Sequence, residues 1–362
     1  MVPISLFALL AGGCGGIVVV DDRGASSENA SSTGTGGVSA GTGSPSGGSG
    51  GTGPADCSAP NLTVLAENQL RPTAIAIDAT TVYWVNFGGS DSPTTAHVFA
   101  LPKSGGAPAE IAATPGIPNH LFVDDTHVYW DVGTTYPTVP EQAILYGMPK
   151  AGGPVANLFA APTADPFYAL KMDEARFYWQ NEDGGIGSLP KSGGTPSLAV
   201  VGEPSGYAYE IAVDEDDLYW RTGGDLRLMS TPKIGGASKL LSGLTGVHGF
   251  VADAVQLFVA PSEASHRGDI ATLSKGGGAL VKIIYEESGS YRLESHGACL
   301  YWISAPIHDA DHDEIHAAPK TGGKPIMIYR TDSHQGDFRF VVDASGVYTA
   351  DTNAGLIVKA AK

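Results

Sequence analysis

Three features of this 362-residue chain predict an all-β fold, a seven-bladed β-propeller of four-stranded blades. An apolar run ending in Asp recurs along the chain, an aromatic falls five positions after each Asp or its substitute, and a Pro-Lys-x-Gly-Gly phrase closes the following run. The first copy reads Ala74-Ile75-Ala76-Ile77-Asp78, then Tyr83-Trp84, then Pro102-Lys103-Ser104-Gly105-Gly106. The second has Asp124, Tyr129-Trp130 and Pro149-Lys150-Ala151-Gly152-Gly153. Asp173 with Tyr178-Trp179 and Asp214 with Tyr219-Trp220 keep the register. The last three copies drift: Asp253 precedes Leu257-Phe258, His296 stands in the Asp place before Tyr301-Trp302, and Asp343 precedes Tyr348-Thr349. Copies follow one another at roughly 40 to 50 residues, the period of a propeller blade.

Each repeat supplies four strands, labelled a to d. Strand a ends at the Asp, whose side chain can accept hydrogen bonds from backbone amides in a tight a-to-b turn. Strand b carries the Tyr-Trp pair, and its β-branched and aromatic enrichment marks it better than alternation does, because propeller sheets are packed on both faces. Strand c runs into Pro-Lys, and the Gly-Gly that follows suits a c-to-d hairpin that needs positive φ. The last copy ends at Leu356-Ile357-Val358-Lys359-Ala360-Ala361-Lys362, with nothing after it to form strand d. Thr63-Val64-Leu65-Ala66 lies before Asp78 as Ala109-Glu110-Ile111-Ala112 lies before Asp124, so an N-terminal strand is expected to complete the last blade and remove the open seam. All five Trp residues belong to Tyr-Trp pairs, which assigns them to packing of blade on blade.

The repeats resemble those of YWTD-type and TolB-like bacterial propellers over roughly residues 60 to 362. The Thr-Asp that follows Tyr-Trp in the YWTD family is Val85-Asn86 in the first copy and Gln180-Asn181 in the third. The resemblance therefore implies a propeller scaffold, shared by binding proteins and some enzymes, and not a blade number.

Residues 1–14 resemble a bacterial lipoprotein signal: an apolar run, then Leu9-Leu10-Ala11-Gly12-Gly13 before Cys14, which in that class becomes the lipidated first residue. Residues 15–56 are dominated by Gly, Ser, Thr and Ala, a composition that buries too little apolar surface to fold and reads as a flexible tether. Together they place the propeller outside the cytoplasm, lipid-anchored in the cell envelope, with the outer membrane as the expected site. Cys57 and Cys299 remain as an even pair, either a disulfide at the ring closure or two thiols. The formal charge of −17 excludes a nucleic-acid partner, which requires a basic surface, and suits a monomeric acidic head.

The a-to-b and c-to-d turns are uniform, whereas the b-to-c loops are long in the first, second, fifth and sixth copies. That places the binding face for a protein, peptide or glycan on the b-to-c and d-to-a side. Strand a lines the central channel, so the residues that open it surround the channel mouth: His120, Tyr168, Tyr209, Glu210, His248, Tyr291, Arg292, Phe338 and Arg339. In the sixth copy, His308, Asp309, Asp311, His312 and Asp313 form a loop suited to Ca2+ or Zn2+, with a solvated acidic loop as the alternative. No nucleophile motif or phosphate loop frames the mouth. A binding or scaffold module is the first functional expectation, and a lyase or hydrolase using His120, His248 and Glu210 is the second.

Overall fold

The computed structural model describes residues 55–88, 95–133, 142–161, 167, 169–181, 185–200, 210–222, 227–243, 246–261, 268–285, 289–305, 312–331 and 339–362. They form seven antiparallel four-stranded sheets, so the chain is a seven-bladed β-propeller. Blade 1 runs Pro72–Ile77, Thr81–Phe87, Thr95–Pro102 and Ala109–Pro115. Blade 2 runs Ile117–Val123, His127–Gly133, Ile144–Pro149 and Ala156–Ala160, and blade 3 runs Lys171–Met172, Arg176–Gln180, Ile186–Pro190 and Ser197–Val200. Blade 4 comprises Ile211–Val213, Asp217–Arg221, Leu228–Pro232 and Lys239–Leu240; blade 5 comprises Val247–Ala252, Gln256–Pro261, Ile270–Ser274 and Val281–Ile284. Blade 6 comprises Gly289–His296, Cys299–Ala305, Glu314–Pro319 and Ile326–Arg330. Arg339–Asp343, Gly346–Asp351 and Leu356–Ala361 are the inner three strands of blade 7.

The outer strand of blade 7 is Asn61–Ala66, which pairs antiparallel with Leu356–Ala361 from Asn61 opposite Ala361 to Ala66 opposite Ile357. One blade thus takes strands from both ends of the chain, and no inner seam is left unpaired. Strand a of most blades touches strand a of the next, which builds the wall of the channel.

Among the described residues there is no single core. Apolar residues gather in seven clusters, one between each pair of neighbouring blades. Trp130 packs with Ala74, Ala76, Tyr83 and Val85 of blade 1, Trp220 with Ala169 and Tyr178 of blade 3, and Trp302 with Phe258 and Ala260 of blade 5. Trp84 closes the circle against Val341 and Tyr348 of blade 7. The alternation of a strand explains this division: residues two and four before the Asp, and the Tyr, turn to the next blade, while the Trp turns to the previous one.

A polar girdle joins the same blades. Asp78 Oδ1 accepts the amides of Thr80 and Thr81, as expected of the turn, and its Oδ2 accepts the Tyr83 hydroxyl at 3.1 Å. The same Oδ2 also takes Lys150 Nζ of blade 2, at 2.6 Å. The pattern repeats as Lys191 to Asp124 at 2.7 Å, Lys233 to Asp173 at 2.8 Å, Lys275 to Asp214 at 2.7 Å and Lys320 to Asp253 at 2.9 Å. Lys103 of blade 1 reaches Asp343 of blade 7, carrying the girdle across the closure. Burial on its own raises these carboxyls, but the lysine and the turn's donors outweigh it and hold all six below the ordinary Asp value. Burial and Asp78 together push Tyr83 up to about 12. The lysine arrives on the c-to-d hairpin, which Gly105 and Gly106 turn at φ of 94° and 132°, conformations an L side chain resists.

The junction of blades 6 and 7 departs from the pattern, because His296 holds the Asp position. Lys362 occupies the repeat's lysine place, its amide donating to Ser345 O as Lys103 donates to Thr80 O. Its Nζ lies 5.5 Å from the centre of the Tyr301 ring, whose buried hydroxyl has no partner. At this junction Cys57 and Cys299 form a disulfide, with Cα atoms 5.8 Å apart. Both sit in the apolar cluster between blades 6 and 7. The covalent link stands at the junction where His296 replaces the repeat's Asp.

Replacing both cysteines by Ser is expected to cost about 2–5 kcal/mol in denaturant unfolding, and Lys150→Met about 1–3 kcal/mol. In the cysteine-free protein, His296→Asp should recover about 1 kcal/mol by giving Lys362 its partner. The girdle also sets a pH dependence. A carboxyl held below its unfolded value stabilises the fold fully above about pH 3.9 and loses that contribution as pH falls through the folded value. Stability should therefore drop steeply in acid, and less steeply in Asp124→Asn.

Candidate functional site

Four residues before each repeat Asp, in or just ahead of strand a, come Ala74, His120, Ala169, Glu210, Gly249, Arg292 and Arg339. In blades 1, 5 and 7 the register sets these opposite the residue just after the Trp position of strand b: Ala74 faces Val85, Gly249 faces Ala260, and Arg339 faces Ala350. In blades 2, 3 and 4 the b-strand partner is polar: Asp131, Gln180 and Arg221. One sector of the ring is therefore built differently from the rest at this level.

In blade 2, the side chain and backbone amide of His120 both engage Asp131 Oδ1, Nδ1 at 2.9 Å and N at 2.8 Å. Asp131 is fully buried and His120 only 1% exposed, its ring stacked on Phe122. An ionised Asp131 holds the proton on Nδ1 and leaves Nε2 as an acceptor, and Nε2 is buried without a partner. In blade 3, Gln180 is fully buried, and neither its Nε2 nor its Oε1 has a partner among the described residues. Ala169 and Tyr178, on the same face, pack against Ile211, Leu218 and Trp220 of blade 4.

Charges from separate blades meet at this level and two residues further along strand a. Glu210 accepts a backbone hydrogen bond from Phe250 and feels Arg221, Lys171 and Arg292; burial outweighs these and raises its carboxyl above the ordinary value. Glu294 is likewise raised: burial is the largest cause, Lys171 opposes it, and Glu210 adds to the rise. Lys171 and Glu294 occupy equivalent positions, two before the Asp place, in blades 3 and 6. Arg221 also donates through Nη1 to the Val247 carbonyl. Arg292 sits at φ 52°, a left-handed conformation that costs a non-glycine residue free energy. Beside it, the Tyr291 hydroxyl donates to Asp313 Oδ1 at 3.0 Å, and burial with that carboxylate raises the phenol. Arg339 is buried and interacts electrostatically with Tyr291.

The structure thus brings together Glu210 and Arg292, and Tyr291 with Arg339. His120 pairs with Asp131, and His248 is exposed. Tyr168, Tyr209 and Phe338 lie outside the described residues, as do His308, Asp309 and Asp311 of the sixth-copy loop. The two described members of that loop are engaged within the protein. His312 contacts Glu314 Oε1 at 3.2 Å and Arg330 Nη2 at 3.0 Å, and Asp313 holds Tyr291 and, through its backbone, Thr331. Among the described residues no three His, Cys, Asp or Glu side chains are grouped to hold a metal. Reading the sequence missed Asp131, Gln180, Lys171, Arg221 and Glu294. The first, second and fourth were marked by a polar residue directly after the repeat Trp, where the first copy has Val85.

No protein-family model matches the chain, and no match is found among curated proteins. Among solved structures, the computationally designed Ika8 protein is 11% identical, with a TM-score of 0.55, over 82% of this chain and 98% of its own. BamB from Moraxella catarrhalis is 16% identical at a TM-score of 0.48, over 79% of this chain and 84% of that one. A chain of a nidogen/laminin complex is 16% identical at 0.42, over 56% and 75%. The likeness to Ika8 bears on the fold alone.

The raised carboxyls carry a signed consequence. A buried Glu that binds its proton more tightly in the folded state than in the unfolded one stabilises least when ionised, so its contribution falls as pH rises above about 4.3. Glu294→Gln is expected to flatten the decline of thermal stability on the alkaline side, read as unfolding temperature against pH.

Proposed function

We propose that the chain is a recognition module held at the cell envelope by lipid on Cys14 and a spacer of residues 15–56, binding an envelope protein, peptide or glycan through one face of the ring. The asymmetry of the two faces carries this reading. The c-to-d connections 103–108, 150–155, 191–196, 233–238, 275–280 and 320–325 are equal in length, whereas the b-to-c connections 88–94, 134–143, 181–185, 222–227, 262–269 and 306–313 differ. Turns that carry the girdle are constrained by it; connections on the opposite face are free to vary and to be selected for a partner. The disulfide supports an oxidising, extracytoplasmic setting. A pull along the tether reaches Cys57 first and passes to blade 6 through Cys299 before it reaches the closing strand Asn61–Ala66. A cation on the sixth-copy loop, Ca2+ or Zn2+, falls to His308, Asp309 and Asp311, since His312 and Asp313 have protein partners.

A propeller lyase or hydrolase working at the mouth is the second reading, favoured by the Asp131-oriented imidazole of His120.

The test is affinity capture from an envelope extract with residues 54–362 as bait. One partner is expected at near-stoichiometric amount, lost when 134–141 is replaced by a short Gly turn and retained in Ser192→Glu on the hairpin face. Loss in the hairpin variant alone would refute the assignment of faces. Loss on chelation would point to the 308–311 loop. In the full chain, Cys14→Ser should move the protein from the membrane to the soluble fraction.

A further inference from the structure

Fully buried polar atoms without partners are costly, and a fold retains them where something outside it completes them. Three such atoms lie in adjacent blades at one level of this ring: His120 Nε2, Gln180 Nε2 and Gln180 Oε1. Their counterparts in blades 1 and 5 are Ala74 with Val85 and Gly249 with Ala260, so the ring closes there without polar groups. His120 and Asp131 turn toward blade 3 and Gln180 toward blade 4, by the alternation that seats Phe122 and Tyr129 against Phe177 and Trp179, and Tyr178 against Trp220. The level is that of the channel mouth, on the side of the variable connections.

The unmet groups define their complement. His120 Nε2, with Asp131 on Nδ1, needs a donor; the Gln180 amide needs one donor and one acceptor. His120 and Gln180 are themselves neutral and Asp131 beside them is anionic, so an anionic ligand would lose hydration and meet a like charge, whereas hydroxyls need no counter-charge. A hydroxyl is donor and acceptor in one atom, and adjacent hydroxyls meet all three requirements. Packed sheets lie about 10 Å apart, a spacing that suits two linked sugar units better than one. We propose that blades 2 to 4 form a carbohydrate subsite at the channel mouth, in which His120, oriented by Asp131, and Gln180 bind hydroxyls of a neutral saccharide. All three atoms are closed to bulk water, so hydrogen bonds made there are strengthened, and entry requires side chains at the mouth to change rotamer. This assignment rests on the mouth side being the binding face and narrows the partner to a glycan.

The test uses the full chain and two readouts. Gln180→Leu and Gln180→Met remove the unmet amide while keeping its volume. Each is expected to raise the unfolding temperature by roughly 2–4 °C, whereas a fall in both would show the amide to be satisfied structurally and overturn the proposal. Maltose, added up to about 100 mM, ample for a millimolar Kd, is expected to move the His120 Nε2 nitrogen resonance. In Gln180→Leu the titration should weaken about tenfold. An unmoved His120 resonance, or one moved by glycylglycine and not by maltose, would overturn the saccharide assignment. The thermal readout needs no partner, so an empty envelope capture and a failure here remain distinguishable.

Discussion

The bridge from the lysine of one blade to the aspartate of the blade before it is the interaction on which the ring depends. Apolar packing between blades is strong but non-directional, and it tolerates a blade sliding or tilting on its neighbour. A carboxylate that receives two turn amides or an equivalent turn contact and a neighbouring lysine tolerates neither. Six repetitions fix each of six blades against its neighbour at the same height. In the first four blades a tyrosine hydroxyl adds a further anchor. The partners are largely buried, and their hydrogen bonds are charge-assisted, so these pairs do more than exposed surface salt bridges.

The same geometry explains where the covalent bond lies. With His at position 296, the junction of blades 6 and 7 has no aspartate to complete the lysine–aspartate bridge of the others, and it borders the blade that is completed by the distant N-terminal strand. Cys57 and Cys299 join that strand's approach to blade 6. The girdle also separates the faces. Hairpins that must deliver a lysine to a neighbour's carboxylate keep one length, and variation is displaced to the opposite connections, next to the polar sector of blades 2 to 4.

Much of the fold was legible because a closed ring repeats one local solution. Asp78, Tyr83 and Lys103 recur in register, and the turn role of the Asp follows from one copy. The inter-blade role does not, because Lys150 reaches Asp78 across 72 positions of chain. The candidate site was less legible. His120 and Glu210 could be placed near the mouth by counting back from the Asp, but their partners Asp131 and Arg221 lie on the next strand, where the repeat suggests only packing.

The sequence by itself determined the blade, its four strands, the count of seven and the strand that completes the last blade. Those features rest on periodicity and on turns, which are properties of neighbouring residues. Tertiary structure alone decided which lysine meets which aspartate, that Lys171, Glu210 and Glu294 share one buried environment, and that His120 Nε2 and the Gln180 amide are left unmet. These depend on distances between blades and on exclusion of water, which exist only once the ring has closed.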